Sequence, residues 1–306
     1  MKKIAIIVAI ILIGIVIFVS SLKKDEKSVV SKPLVSVSTF ALYDVSQKLL
    51  GQYADVSMLV PFGQDIHSYE MTPQDRIKIE KSKFFIYSGA GLEPWAHSFK
   101  SHPNTIEMSQ FVTLHHAEDD HHHHKETSIH TFDPHYWLDI DNMILITKKL
   151  RDIYTKAFTQ EASKEIQANA NQYITMLKKI DTLYKKHLLT CKHDEIIVSH
   201  NAFGYLASRY GFHVKALTGF SPDAMPSAKD LANLSDIVKE KGISVIFGEA
   251  YMSDRLMQSL ARETGVRVDT LQPLANITKS EAQKSDDYSF LMLNNLKKLS
   301  SALECR

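Results

Sequence analysis

The residues of this chain best suited to chemistry are its histidines. Of the 15, eight fall between Leu114 and Ile140: His115, His116, His121, His122, His123, His124, His130 and His135. Two more stand at informative places. His67, in "PFGQDIHSYEMTP", follows a β-rich apolar run, and His200, in "IIVSHNAFGYL", lies between a strand pattern and a helix pattern. In open parallel sheets ligands bind beyond the carboxyl ends of the strands, where both residues fall. His135, in "DPHYWLD", is bracketed by Asp133, Asp139 and Asp141. A carboxylate beside an imidazole holds one ring nitrogen and so fixes which nitrogen a metal meets. A lone histidine after a strand is ordinarily a cap or a hydrogen-bonded residue. Three at comparable loop positions, beside a histidine-rich run, point instead to metal binding.

The elements that must position these residues are legible from periodicity. "LVSVSTF" (34–40), "ADVSMLVP" (54–61) and "FFIYSG" (84–89) read as strands, with "ALYDVSQKLLGQY" helical between the first two. "TPQDRIKIEKS" opens a helix with Thr72 as N-cap, Pro73 in the first helical position and Asp75 in the first turn. From Asp141 to about Leu188 there is neither proline nor glycine, and two helices are expected, the second about 26 residues and roughly 39 Å long. The alternation then restarts: "EIIVSH", "HVKAL", "ISVIFGE" and "VRVDTLQ" as strands, each followed by a helical pattern, ending in "DYSFLMLNNLKKLSSAL". Alternating strands and helices imply an α/β fold with parallel sheets.

The 306 residues are 44% hydrophobic and 23% charged, ordinary for two modest lobes, and the formal charge of +1 implies no nucleic-acid partner. Met1-Lys2-Lys3, an apolar stretch from Ile4 to Val19 and the small residues Ser20-Ser21 describe a secretory signal. The run to Leu22 also approaches the ~18–20 residues that span a bilayer, so residues 4–22 are equally a candidate membrane tether. Either reading exports the rest of the chain, to the periplasm or the outer face of the cytoplasmic membrane. No cysteine follows the run, which argues against a lipid anchor. The two cysteines, Cys191 and Cys305, are too few for a thiolate zinc cluster, so a metal site here must use histidine, carboxylate or water. Whether they pair, the sequence leaves open.

Four motifs in order, "PFGQDIHSYEMTP", "DPHYWLD", "SHNAFGYLASRYGF" and "TGFSPDAMPSAKDL", resemble the solute-binding proteins of ABC-type zinc and manganese importers, in the zinc-uptake branch. The resemblance runs from about Leu34 to the C-terminus. It implies two lobes, each with a parallel four-stranded sheet flanked by helices, joined by one long rigid helix. The expected division is residues 1–22 as signal or anchor, 34–160 as the first lobe carrying a histidine-rich loop at 114–130, 161–188 as the linking helix and 189–306 as the second lobe. It implies Zn(II) held between the lobes by His67, His135 and His200, a monomer, a membrane permease as partner and no enzymatic activity. Ile66 and Met71 stand where relatives often carry proline. Gln272 stands where many carry an acidic residue that serves manganese-binding members as fourth ligand, so water or a loop histidine is the expected filler. Glu249, which ends a strand on the same side, is a candidate to support a ligand or take the fourth position, as is Gln272.

Three neutral imidazoles suit zinc, whereas manganese prefers more and harder oxygen ligands. A receptor or adhesin of the same fold for manganese or another divalent metal is the alternative. A zinc hydrolase is a weaker one, because no H-E-x-x-H motif supplies a general base. The remaining loop histidines, His115, His116, His121 to His124 and His130, sit in a stretch without hydrophobic periodicity and are expected to bind zinc weakly.

Overall fold

The structure, a computed structural model, describes residues 32–116, 132–220, 226–250 and 255–306. The apolar run 4–22, with its reading as signal or tether, lies outside the described residues, and so do His121 to His124 and His130.

The first lobe builds a parallel sheet from β1 (Leu34–Val37), β2 (Asp55–Met58), β3 (Phe84–Tyr87) and β4 (Thr105–Glu107), in the order β2-β1-β3-β4. Helices α1 (Phe40–Leu50) and α2 (Pro73–Lys81) make the crossovers. β3 is buried at all four positions, which is why it reads as a continuous apolar run. α2 starts as its sequence indicates: Thr72 Oγ1 accepts the Asp75 N–H, and the Asp75 carboxylate accepts the Thr72 N–H, a reciprocal cap. β4 was not located by periodicity. Three residues, "TIE", are too few to show alternation, and only pairing with β3 makes them a strand.

α3 (Ile140–Ala157) leads into α4 (Gln160–His187), 28 residues and about 42 Å long. α4 begins one residue before the expected linking helix 161–188, because Thr159 Oγ1 caps the Ala162 N–H. Its buried stripe, Ala162, Ile166, Ala170, Tyr173, Leu177, Ile180 and Tyr184, follows the 3–4 spacing of one helix face. Two tyrosines on that stripe tie it to both lobes. Tyr173 OH donates to Asp44 of α1 at 2.7 Å, and Tyr184 OH donates to the Met292 carbonyl of the last helix at 2.7 Å.

The second lobe repeats the architecture with β5 (Glu195–His200), β6 (His213–Thr218), β7 (Val245–Glu249) and β8 (Arg267–Leu271), all parallel in the order β6-β5-β7-β8. Its helices are α5 (Gly204–Tyr210), α6 (Ala228–Lys241), α7 (Arg255–Thr264), α8 (Lys279–Lys284) and α9 (Tyr288–Ala302). Cys191 and Cys305 form a disulfide, closing the C-terminus onto the segment before β5.

One apolar core runs through both lobes by way of α4. A buried strap after β8 adds polar ties from the second lobe to the first. Pro273 O accepts Trp137 Nε1–H at 2.7 Å, Ala275 O accepts the Phe40 N–H at 2.8 Å, and Ile277 O accepts the Gly63 N–H at 2.8 Å. Residues assigned by sequence to the second lobe are therefore built into the first as well.

Candidate metal centre

His200 is the last residue of β5, and the carboxyl ends of both sheets turn toward the same place. His67 lies in the β2–α2 loop, and His135 immediately precedes a 3-10 turn, Tyr136–Leu138, that opens α3. These three residues are 68 and 65 positions apart in the chain. In the fold, their rings form a near-equilateral triangle with centroid separations of 5.4, 5.8 and 5.3 Å. One ligand atom from each lies within 4.8 Å of the others, and this is the sole such group among the described residues. His135 and His200 are buried, while His67 is half-buried at the rim.

Carboxylates set the orientation of the two buried rings. Asp133 Oδ1 accepts the backbone N–H of His135 at 2.9 Å and stands 2.8 Å from its Nδ1. That contact places the proton on Nδ1 and the basic lone pair on Nε2. Nδ1 of His200 faces Oε1 of Glu249, and its Nε2 is buried with no hydrogen-bond partner among the described residues. Burial pulls the His200 pKa down, but the charge and hydrogen bond of Glu249, with Asp65 and Asp133 behind them, outweigh it and hold the pKa above the ordinary value. The Trp137 and Phe220 rings flank His135, with centroids 5.5 and 6.5 Å away, giving the site an apolar wall.

The donor set fits a four-coordinate, nitrogen-preferring cation. Nitrogens ~2.0–2.1 Å from a tetrahedral Zn²⁺ stand about 3.3 Å apart. The ligand atoms, within 4.8 Å of one another, reach that spacing by moving inward, and His67 is the least buried of the three.

Glu249 is thus beside the cluster, against His200. Gln272 Nε2 donates to both oxygens of Glu281, at 2.7 and 2.6 Å, while its Oε1 is buried with no hydrogen-bond partner among the described residues. His115 and His116 sit at the base of the histidine-rich stretch. They line a groove of about 1060 Å³ that also touches Asp133, His213, Lys215 and Phe220.

Two residues that support His67 escaped the sequence reading. Asp65 Oδ1 accepts the His67 N–H at 3.2 Å, a local turn that the D-x-H spacing itself signals. Asn276, fully buried in the strap, donates through Nδ2 to Pro61 O at 2.8 Å and Gln64 O at 2.7 Å, pinning the loop that carries His67. No local pattern points to Asn276, because its partners lie more than 200 positions away.

Residues 35–302 match the family described as "Zinc-uptake complex component A periplasmic". The chain is 30% identical over 295 residues to the high-affinity zinc uptake system protein ZnuA of Bacillus subtilis, covering 93% of this chain and 92% of that one. It is 33% identical over 295 residues to the zinc-binding protein AdcA of Streptococcus pyogenes serotype M3, covering 90% of this chain but 57% of that one. The chain thus spans little more than half the length of that streptococcal relative. The Zn(II)-bound ZnuA-like domain of Streptococcus pneumoniae AdcA superposes with a TM-score of 0.75 at 28% identity, over 90% of this chain and all of that domain. With a family match across nearly all of the described sequence and two parallel sheets whose carboxyl ends converge on three histidines, the chain belongs to the periplasmic zinc-uptake component A family.

Proposed function

We propose that this protein captures Zn(II) between its two lobes through His67, His135 and His200 and delivers it to the membrane permease of an ABC-type importer. The observation that carries the reading is the convergence of three imidazoles, two of them oriented by buried carboxylates, at the carboxyl ends of two parallel sheets. An all-nitrogen set favours Zn²⁺ over Mn²⁺, and a water molecule completes the tetrahedron. The relatives named for zinc binding and zinc uptake support the same cargo. The Cys191–Cys305 disulfide fits an exported protein, because such bonds persist outside the reducing cytosol.

The protein acts as a receptor and not as an enzyme. A zinc hydrolase needs a free carboxylate beside the metal-bound water as general base. Of the acidic groups beside the rings, Asp133 and Glu249 are instead engaged with ring nitrogens and Asp65 with the His67 N–H. We further propose that the histidine-rich stretch 114–130 collects zinc at the surface, the groove at its base opening beside Asp133.

The deciding experiment is elemental analysis of protein purified without added metal, with zinc calorimetry on wild type and His200→Ala. One tight zinc equivalent that disappears in the variant is the expected result. A tight phase that survives His200→Ala rules out the three-histidine site.

A further inference from the structure

α5 begins four residues after His200, and its first two residues lie next to Asp133. Tyr205 OH donates to the Asp133 carbonyl at 3.0 Å. Gly204 leaves room for the carboxylate: a Cβ there would stand 3.0 Å from Asp133 Oδ2, closer than side chains normally tolerate. The same Tyr205 hydroxyl accepts the His115 N–H at 2.8 Å, and its ring stacks on the His115 imidazole with centroids 4.1 Å apart. Asp133 N–H donates to His115 O at 3.0 Å, closing this junction. Asp133 then holds both the backbone N–H and Nδ1 of His135. A continuous set of contacts therefore runs from the helix that follows one metal-site histidine to the carboxylate that orients another.

A fully buried tyrosine with its hydroxyl on a backbone group is common in protein cores. Tyr205 differs in where its two bonds go. Both reach across to a segment of the first lobe, and both partners flank the chain that delivers His135. We propose that Tyr205 is a positioning residue for the metal centre: with the space left by Gly204, it sets Asp133 so that His135 is aligned with His200 before metal arrives. The two buried histidines form a preset pair, and His67, on a loop held separately by Asn276, completes the site. This inference rests on the zinc-receptor reading above.

Three variants of the full chain test it. Tyr205→Phe deletes the hydroxyl and keeps the ring. Gly204→Ala places a methyl against Asp133 Oδ2. Tyr184→Phe is the control, because it removes an equally buried hydroxyl that also donates to a backbone carbonyl, Met292 O, away from the site. The readouts are thermal stability, zinc affinity by competition titration, and the ¹H–¹⁵N signal of the His135 Nδ1–H in metal-free protein. Tyr205→Phe and Gly204→Ala are expected to weaken zinc about tenfold, as changes behind a ligand do, and to shift or broaden the His135 signal. Tyr184→Phe is expected to lower stability while leaving zinc affinity and that signal unchanged. Wild-type affinity and an unaltered His135 signal in Tyr205→Phe overturn the proposal, and so does an equal loss of affinity in Tyr184→Phe. Failure of the wild type to bind zinc tightly removes the receptor reading alone, since the metal-free signal still decides whether Tyr205 positions His135.

Discussion

Glu249 and His200 end neighbouring strands, two residues beyond the Val198–Phe247 pair, and the carboxylate lies directly against Nδ1 of the imidazole with both side chains sealed from water. The pairing leaves Nε2 of His200 as the nitrogen open to a metal and strengthens its basicity. Glu249→Gln keeps an acceptor oxygen but removes the charge. Zinc affinity should fall about 10- to 100-fold, with little change in melting temperature, measured by competition against a chelator. Unchanged affinity would show that the carboxylate does not tune the ring.

Asn276 supplies the donors for two carbonyls of the His67 loop. Asn276→Ala removes these two part-buried hydrogen bonds, each worth about 0.5–1.5 kcal/mol. The variant should melt lower and bind zinc more weakly. His67→Ala should add little further loss on top of it, because both changes disable the same loop. Full additivity of the two losses in a double-mutant cycle would count against this coupling.

The Cys191–Cys305 bond closes a loop of 114 residues. Cys191→Ser with Cys305→Ser should lower unfolding stability by about 2–5 kcal/mol, measured by urea titration. Zinc affinity should be retained, because Cys191 precedes β5 and His200 stands at its far end. A large loss of affinity would mean that strand β5 is held in place by the crosslink.

Asp44 predicts a pH effect of unusual sign. Burial raises its pKa from 3.8 to about 6, against the lowering influence of the Tyr173 hydroxyl. The unfolded chain gives up this proton near its ordinary value, while the folded chain keeps it until about pH 6. Between those limits the native state binds more protons, so this group's contribution to stability falls as pH rises. The shift corresponds to on the order of 3 kcal/mol above pH 6, and to nothing below both values. Asp44→Asn should therefore be more stable than wild type at pH 7.5 and nearly equal to it at pH 4. A stability gap that does not vary with pH would refute the raised pKa.

Deleting residues 117–130 keeps His115 and His116, with their contacts to Tyr205 and Asp133, and removes five histidines. Weak zinc equivalents should disappear in calorimetry while one tight equivalent persists. Zinc at 1,000-fold excess over its dissociation constant should still stabilise the variant by ~4 kcal/mol. Loss of the tight phase would place a histidine from that stretch in the fourth position.

The amino-acid sequence by itself determined the α/β alternation, the capped start of α2, the long helix α4 and the identity of the three histidines. Each of these is written in local pattern: periodicity, a capping pair, absence of helix breakers, a histidine just past a strand. Tertiary structure alone decided what touches what. β4 is a strand because β3 offers it partners. Glu249 could be placed at a strand end from sequence, but only the register of β7 beside β5 puts it on His200. Gln272 could be picked out from its motif, but only the fold shows that the capping carboxylate of α8 takes its amide nitrogen and leaves its oxygen buried without a hydrogen-bond partner among the described residues. Asn276 and Tyr205 had no legible role at all, since their partners are Pro61, Gln64, His115 and Asp133, distant in sequence. A hydrogen bond between remote segments leaves no periodic trace in either one, so the three converging histidines were readable while most of the framework around them was not.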